Sequence, residues 1–262
     1  MLHWDAETLW QDLEPRRPGL TVEVLAETPS TNTLLLDRGR RGDDAPCLLV
    51  AECQTAGRGR LGRPWWSQPG QALTFSLGLR LAPADWSGLS LAVGVALAEA
   101  LGPQIGLKWP NDLWLRGDDR KLGGILIEVA PVAEPGGRPG ERWVVVGVGL
   151  NVTQRPGTLT GADIFRTGYA HLQEFDPMLT APQLLHRVAR PLLEAVRAFE
   201  TDGLAPLHDR YAARDVLAGR TVQAGGITGV ACGLSADGSL QVRDAASAIH
   251  ALHSGEVSVR PC

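Results

Sequence analysis

The chain has 262 residues, 44% of them hydrophobic and 21% charged, and a formal net charge of −4. That length can bury one substantial core with room for a small second domain, and the negative balance argues against a general nucleic-acid binder. The acidic N-terminus lacks a signal-peptide pattern and no apolar run reaches the roughly eighteen residues of a membrane span, so a cytoplasmic location is expected.

Cys47, Cys53, Cys232 and Cys262 show no CxxC spacing and the six histidines are scattered, so neither a structural zinc site nor a disulfide framework is expected. Cys47 and Cys53 flank an apolar run and read as small core residues rather than nucleophiles. The 25 basic side chains include only two lysines, Lys108 and Lys121. Where every other positive charge is arginine, a retained lysine suggests that a compact ammonium is needed.

In chain order, residues 1–18 offer a short amphipathic piece ended by Pro15 and Pro18. Thr21–Leu25 alternates as a strand. Glu27–Asn32 is a polar turn leading into Leu34–Leu36, with Ser30 or Thr31 as helix N-cap; the turn is either a plain cap or a place where hydroxyls and backbone N–H groups converge on a ligand. Cys47–Glu52 and Ala72–Leu81 read as buried strands. Trp86–Leu101 carries apolar residues at helical spacing and should end at Gly102. Gly106–Trp109, the bend Pro110-Asn111-Asp112 and Leu113–Leu115 predict strand, bend, strand. Lys121–Ala130 is a strand entered through Gly123-Gly124, and Pro131–Glu141 is a Pro/Gly-rich hairpin connection. Trp143–Val152 is an apolar strand interrupted by Gly147 and Gly149, where a ligand or another backbone can approach closely. Leu184–Phe199 and Leu204–Val216 look helical, with Pro191 predicting a kink or break. From Leu217 the texture changes to short alternating runs through Val259, with Asp237-Gly238 as a hairpin signal. These predict a small all-β domain, read as a barrel.

The stretch Gln54–Ser67, QTAGRGRLGRPWWS, stands apart. Gly57, Gly59 and Gly62 alternate with Arg58, Arg60 and Arg63 between two strands, so the backbone can take positive φ while guanidinium forks meet oxyanions from several sides. Taken alone it is either a solvated basic turn or an anion-wrapping loop. With Ser30-Thr31-Asn32, Lys108–Asp112, Lys121 and Gly147–Asn151 it forms a set of polar or glycine-rich strand ends, where sites are usually built. The set holds several cations, one obvious carboxylate, Asp112, and no nucleophile–base pair. That balance suits the joining of two anions, such as a carboxylate and the α-phosphate of ATP, where charge repulsion is the barrier.

The motifs STN, GRGRLGRPWWS, KWPNDLW, KLGGILIE and GVGLNV, in this order, resemble biotin protein ligase, in a form without an N-terminal DNA-binding domain. The resemblance implies an α+β fold, with a mixed β-sheet catalytic domain flanked by helices (class II synthetase-like, biotin–lipoate ligase-like) over residues 1–216. A small SH3-like C-terminal β-barrel over 217–262 completes it. The implied reaction joins biotin and MgATP to biotinyl-5′-AMP and pyrophosphate, then passes biotin to a lysine of a biotin carboxyl carrier domain, as in acetyl-CoA carboxylase. Mg²⁺ would accompany the nucleotide with no protein-only metal site. The implied biotin contacts are Ser30, Thr31, Asn32, Gln54, Gly57, Arg58, Gly59, Arg60 and Lys121, with Gly123, Gly124, Gly147 and Gly149 as the floor. The implied nucleotide contacts are Arg60, Arg63, Trp65, Asn111, Asp112, Lys121 and Asn151, with Trp65 on the adenine. Lys121, Arg60 and Asp112 would carry the chemistry. Asp112 could hold Mg²⁺ through water, orient the ribose or accept the proton of the incoming lysine, and Lys108 could belong to the site or to its supporting shell.

With no ligand, Thr55–Trp66 should be mobile. No operator DNA and no membrane are expected as partners; family members occur as monomers and as dimers pairing through the sheet, so a homodimer is one of two expected states. Rival readings are a lipoate ligase or octanoyl transferase of the same fold, a biotin sensor without catalysis, and a nucleic-acid-binding arginine loop.

Overall fold

Along one side of a single strand, side-chain size falls from Trp143 to Val145 to Gly147 to Gly149, and this gradient decides where the molecule is solid and where it is hollow. The structure, a computed structural model, describes residues 2–132, 138–154, 168–254 and 259–261. The first elements are α1 (Ala6–Leu13), β1 (Thr21–Thr28), α2 (Thr31–Arg40), β2 (Cys47–Gln54), β3 (Ala72–Leu81) and α3 (Leu89–Leu101). They are followed by β4 (Ile105–Lys108), β5 (Asp112–Leu115), β6 (Lys121–Pro131) and β7 (Arg142–Asn151). The seven strands form one mixed sheet in the order β1-β2-β3-β7-β6-β5-β4, in which only β1 and β2 pair in parallel.

Period-two alternation sorts the central strands into two faces. Leu73, Phe75, Leu77 and Leu79 of β3, with Val144, Val146, Val148 and Leu150 of β7, belong to the main core. That core is completed by α3 and by α4 (Ala181–Asp202), which pack against each other and on this side of the sheet. The opposite face is covered by α2 over only part of its length. There Leu35, Leu36, Cys47, Leu49, Trp143 and Val145 form a second apolar cluster. Trp143 is the anchor, because its Nε1 donates to the Leu35 carbonyl at 2.9 Å and its ring leaves no room for a Cβ at Gly39 of α2 or Gly78 of β3. Helix α2 is thereby seated at one end of the face, and Asn32 in its first turn comes down onto Gly147, where the strand has no side chain of its own.

Pro191 does not break α4, which runs for 22 residues. The missing N–H of a proline is tolerated when the amphipathic face on both sides of it, here Leu184, Val188, Leu192 and Val196, is buried in one core. The helix expected over Leu204–Val216 is shorter than its pattern. It comprises a 3₁₀ turn and α5 (His208–Ala212), after which residues 214–216 run beside β4, with Leu107 N–H donating to the Arg214 carbonyl and Val216 N–H to the Leu107 carbonyl. Beyond that lie β8 (Thr221–Ala224), β9 (Ile227–Leu234), β10 (Leu240–Arg243), β11 (Ile249–Leu252) and β12 (Arg260–Pro261), an antiparallel sheet in the order β11-β10-β9-β8-β12. Gly225 and Gly226, both at positive φ, turn β8 into β9, and Asp237-Gly238 turns β9 into β10 as its motif predicts. Part of the 131–141 connection and part of the approach to Val259 lie outside the described residues.

Candidate functional site

Above Gly147 and Gly149 lies a cavity of about 650 Å³, bounded by the α2 N-terminus, the arginine loop, β3, β6, β7, the β4–β5 bend and the end of the chain. One end is built for hydrogen bonding. Ser30 caps α2, its Oγ accepting from Thr33 N–H, and Thr31 donates from both N–H and Oγ1 to Gln54 Oε1, at 2.8 and 3.1 Å. Ser76, rising from β3, places its hydroxyl 2.6 Å from both Thr31 Oγ1 and Asn32 Oδ1. The Asn32 amide donates to the Leu126 carbonyl and to Glu128 Oε2, and Glu128 Oε1 accepts from Arg58 Nη1 at 2.8 Å. A continuous polar chain thus runs from Gln54 to Arg58 under α2. Its buried members are fixed against one another, which pre-orients the groups facing the cavity.

The arginine loop folds over the other side. Gly59 N–H donates to the Arg63 carbonyl and Trp65 N–H to the Gly57 carbonyl. Of the three glycines only Gly62 takes positive φ, together with Leu61 at 56°. Gly57 is needed for a different reason: a Cβ there would meet the Trp65 carbonyl at 2.5 Å. The Trp65 indole lies against Gly149, where a Cβ would meet it at 2.3 Å. Arg60 reaches the Asn111 side-chain oxygen at 3.1 Å and the carbonyl of Ser254, just beyond the end of β11. Burial pushes its pKa below the usual arginine value, Asp112 opposes the shift and Arg63 adds to it.

The two lysines of the chain meet on one carboxylate. Lys121 Nζ donates to Asp112 Oδ1 at 2.7 Å, and Lys108 Nζ stands 3.9 Å from Asp112 Oδ2. Register explains the meeting, because Lys108 and Asp112 are cross-strand partners in the β4–β5 hairpin and Lys121 opens β6 beside it. Lys108 also lies over the Trp114 ring, 4.9 Å from its centroid, a cation–π contact. Burial lowers its pKa, Asp112 opposes this, and Lys121, Arg63 and Arg260 lower it further.

Most of the expected site residues line this cavity: Ser30, Thr31, Asn32, Gln54, Arg58, Gly59, Arg60, Arg63, Trp65, Asn111, Asp112, Lys121, Gly124, Gly147 and Gly149. Three do not. Gly57 is tucked under the loop backbone. Gly123 faces the main core against Leu150, because alternation turns it away from Gly124. Asn151 is buried with its amide on the carbonyls of Lys121 and Ala170, so it braces the strand that carries Lys121. Cys47, buried on the α2 side, has its thiol pushed up to about 12 by desolvation, in keeping with a core role.

Sequence reasoning missed several contributors, and one role of a residue it did find. Ser76 and Glu128 sit in strands whose motif residues drew the eye elsewhere. Asp112 is an anchor for two ammoniums, a role the pattern KWPND does not spell out. Val259, Arg260 and Pro261 of β12 close the cationic end of the cavity, and Trp109 Nε1 donates to the Gly238 carbonyl, locking the C-terminal sheet against the bend. A lone arginine near the end of the chain carries no signal in the sequence.

A mixed-sheet α+β protein with a glycine-floored cleft, hydrogen-bonding at one end and cationic at the other, defines the class: a protein built to hold a polar-headed carboxylic acid next to an anion. The family model described as biotin/lipoate A/B protein ligase matches residues 24–151, and that described as the biotin protein ligase C-terminal domain matches 219–260. The chain is 36% identical over 254 residues to the bifunctional ligase/repressor BirA of Escherichia coli, covering 92% of this chain and 75% of that protein. It is 44% identical over 146 residues to the biotin–[acetyl-CoA-carboxylase] ligase of Mycobacterium tuberculosis, covering 52% and 50% of the two chains. In structure it is similar to the Aquifex aeolicus biotin protein ligase in complex with biotin and ATP, with a TM-score of 0.75, 28% identity, and 92% of this chain and 99% of that one covered. The chain belongs to the biotin protein ligase family.

Proposed function

We propose that this protein activates biotin with ATP to biotinyl-5′-AMP and transfers the biotinyl group to a lysine of a biotin carboxyl carrier domain. The observation that carries the reading is the polarity of one cavity. Ser30, Thr31, Asn32 and Gln54 present donors and acceptors at one end, braced from behind by the buried Ser76 hydroxyl, and suit a ureido ring whose polar atoms are costly to bury unpaired. Gly147 and Gly149 let the Asn32 amide and the Trp65 indole settle onto the sheet backbone, forming with Gly124 a low floor that suits the apolar body and tail, and Lys121, Arg60, Arg63 and Arg260 gather where a carboxylate would meet a triphosphate.

In the first step a biotin carboxylate oxygen bonds to the α-phosphorus while the bond to the β-phosphate oxygen breaks and pyrophosphate leaves. The nucleophile is already ionised, so this chain's task is to neutralise and align two anions, which falls to Lys121 and the arginines. In the second, the amine of the carrier lysine attacks the anhydride carbonyl, AMP leaves and the amine gives up a proton. Loop residues Arg60–Trp65 over the cavity would keep water from the anhydride. Asp112, the carboxylate nearest the reacting region, is committed to two ammoniums. Among the described residues no group of three His, Cys, Asp or Glu side chains could hold a metal ion, so Mg²⁺ would arrive with the nucleotide phosphates.

The test is mass spectrometry of a recombinant carrier domain incubated with the protein, biotin and MgATP. One added biotinyl group on its lysine is expected, and pyrophosphate release with biotin but not lipoate. Turnover of lipoate alone would overturn the reading.

A further inference from the structure

Lys121 has a difficulty in this arrangement: to bridge a substrate carboxylate and an α-phosphate it must share or give up its 2.7 Å bond to Asp112. Asp112 is only 18% exposed at the side chain, and a carboxylate in such a place that loses its sole cation is strongly destabilised. Water alone does not compensate it fully. A lysine with one carboxylate and no other support would therefore stay on that carboxylate.

Lys108 changes this balance. Its side chain is 11% exposed, confined by the Trp114 ring below and the β4–β5 register, and its ammonium stands 3.9 Å from the other Asp112 oxygen. At that distance it is an ion pair without a hydrogen bond, so it can close on Asp112 as Lys121 departs. Among the described residues, the cations within ion-pair distance of Asp112 are these two lysines. Arg60 bonds to Asn111 and Ser254 instead. Arginine would serve poorly at position 108, since a guanidinium fork over Trp114 would bond Asp112 bidentately and crowd Lys121 off it.

We infer that Lys108 is a positioning residue for adenylate formation, holding Asp112 in charge balance so that Lys121 is released from it to the incoming carboxylate and phosphate. The inference rests on the ligase reading above. It accounts for both retained lysines with one device, and it gives Asp112 the function of a charge anchor.

The test compares the wild type, Lys108→Met, Asp112→Asn and the double variant. The readouts are single-turnover pyrophosphate release with biotin and MgATP, and biotin affinity by calorimetry without ATP. Lys108→Met is expected to slow adenylate formation by about 10- to 100-fold, the scale of a misplaced catalytic group, while biotin affinity stays within about threefold. In the Asp112→Asn background the same change should cost less than about threefold, because Lys108 acts through Asp112. A wild-type rate for Lys108→Met, an equal loss in both backgrounds, or a loss matched by weaker biotin binding would overturn the role. Lys108→Gln repeats the measurement should the apolar variant fold poorly, and a thermal melt checks both. A wild-type protein that releases no pyrophosphate with biotin would instead sink the ligase reading itself.

Discussion

Replacing Gly147 by alanine tests how the cavity floor is built. A Cβ there would stand 2.1 Å from Asn32 Oδ1, whereas ordinary contact begins near 3.4 Å, so the asparagine must retreat by more than about 1 Å. It cannot do so freely, because Ser76 donates to it at 2.6 Å and it donates to the Leu126 carbonyl at 3.0 Å and to Glu128 at 2.9 Å. Losing a neutral hydrogen bond costs about 1 kcal/mol and one to a carboxylate about 2, so the expected destabilisation is roughly 2–4 kcal/mol. For a chain of this size that lowers the melting temperature by about 5–10 °C. Biotin affinity should fall by about tenfold or more as the polar chain under α2 is disrupted. Gly149→Ala is the internal control. Its Cβ would strike Trp65 at 2.3 Å, but Trp65 comes from a loop outside the sheet register and can swing aside, so the melt should move by less than about 2 °C. Thermal melts and biotin calorimetry on both variants decide it. Equal melting losses in the two would show that strand packing, and not the partner facing each glycine, sets the cost; an unchanged Gly147→Ala would show that Asn32 is not pinned.

Three further outcomes are expected. Arg260→Ala removes a cation from the phosphate end alone, so the KM for ATP should rise about tenfold with biotin affinity unchanged, as read by pyrophosphate release; a parallel loss for biotin would contradict the placement. The hydrogen bond from Arg38 holds Glu23 below the usual carboxylate range. Because the folded value is depressed, that stability is present above the unfolded value, about 4.3, and is lost as pH falls through the folded one. The pair is partly exposed and contributes under about 1 kcal/mol. Urea unfolding of Arg38→Met at pH 6 and pH 3 should lack this acid-sensitive part, and an unchanged pH difference would refute it. Finally, hydrogen exchange across residues 55–66, with their glycines and mutually repelling guanidiniums, should be fast without ligand and slow with biotin and ATP; equal protection in the two states would remove ligand-coupled ordering.

What was legible came from short-range chemistry. Period-two alternation and glycine placement located β2, β3, β6 and β7 within a few residues, and the Ser30 cap and Gly102 terminator marked α2 and α3. Period-two alternation puts neighbours in one strand on opposite faces, and grouping Gly123 with Gly124 as one floor overlooked it: the two face opposite layers. Of the kink or break expected at Pro191, the break does not occur, because local propensity was outweighed by burial on both sides of it. Asn151 is an implied nucleotide contact by its motif, and only the fold shows its amide on the Lys121 and Ala170 carbonyls.

The sequence by itself determined the order of strands and helices, the all-β tail, the set of motifs and the chemistry of joining anions, because these depend on residue type and local periodicity, while the mixed sheet was implied by the resemblance those motifs carry. Only the tertiary structure decided that both lysines share Asp112, that Ser76 and Glu128 complete the polar chain, and that β12 brings Arg260 into the cavity. The physical reason is that each of these depends on distances between residues remote in the chain, or on strand register, and charge balance in a partly buried site is set by those distances rather than by which residues are present.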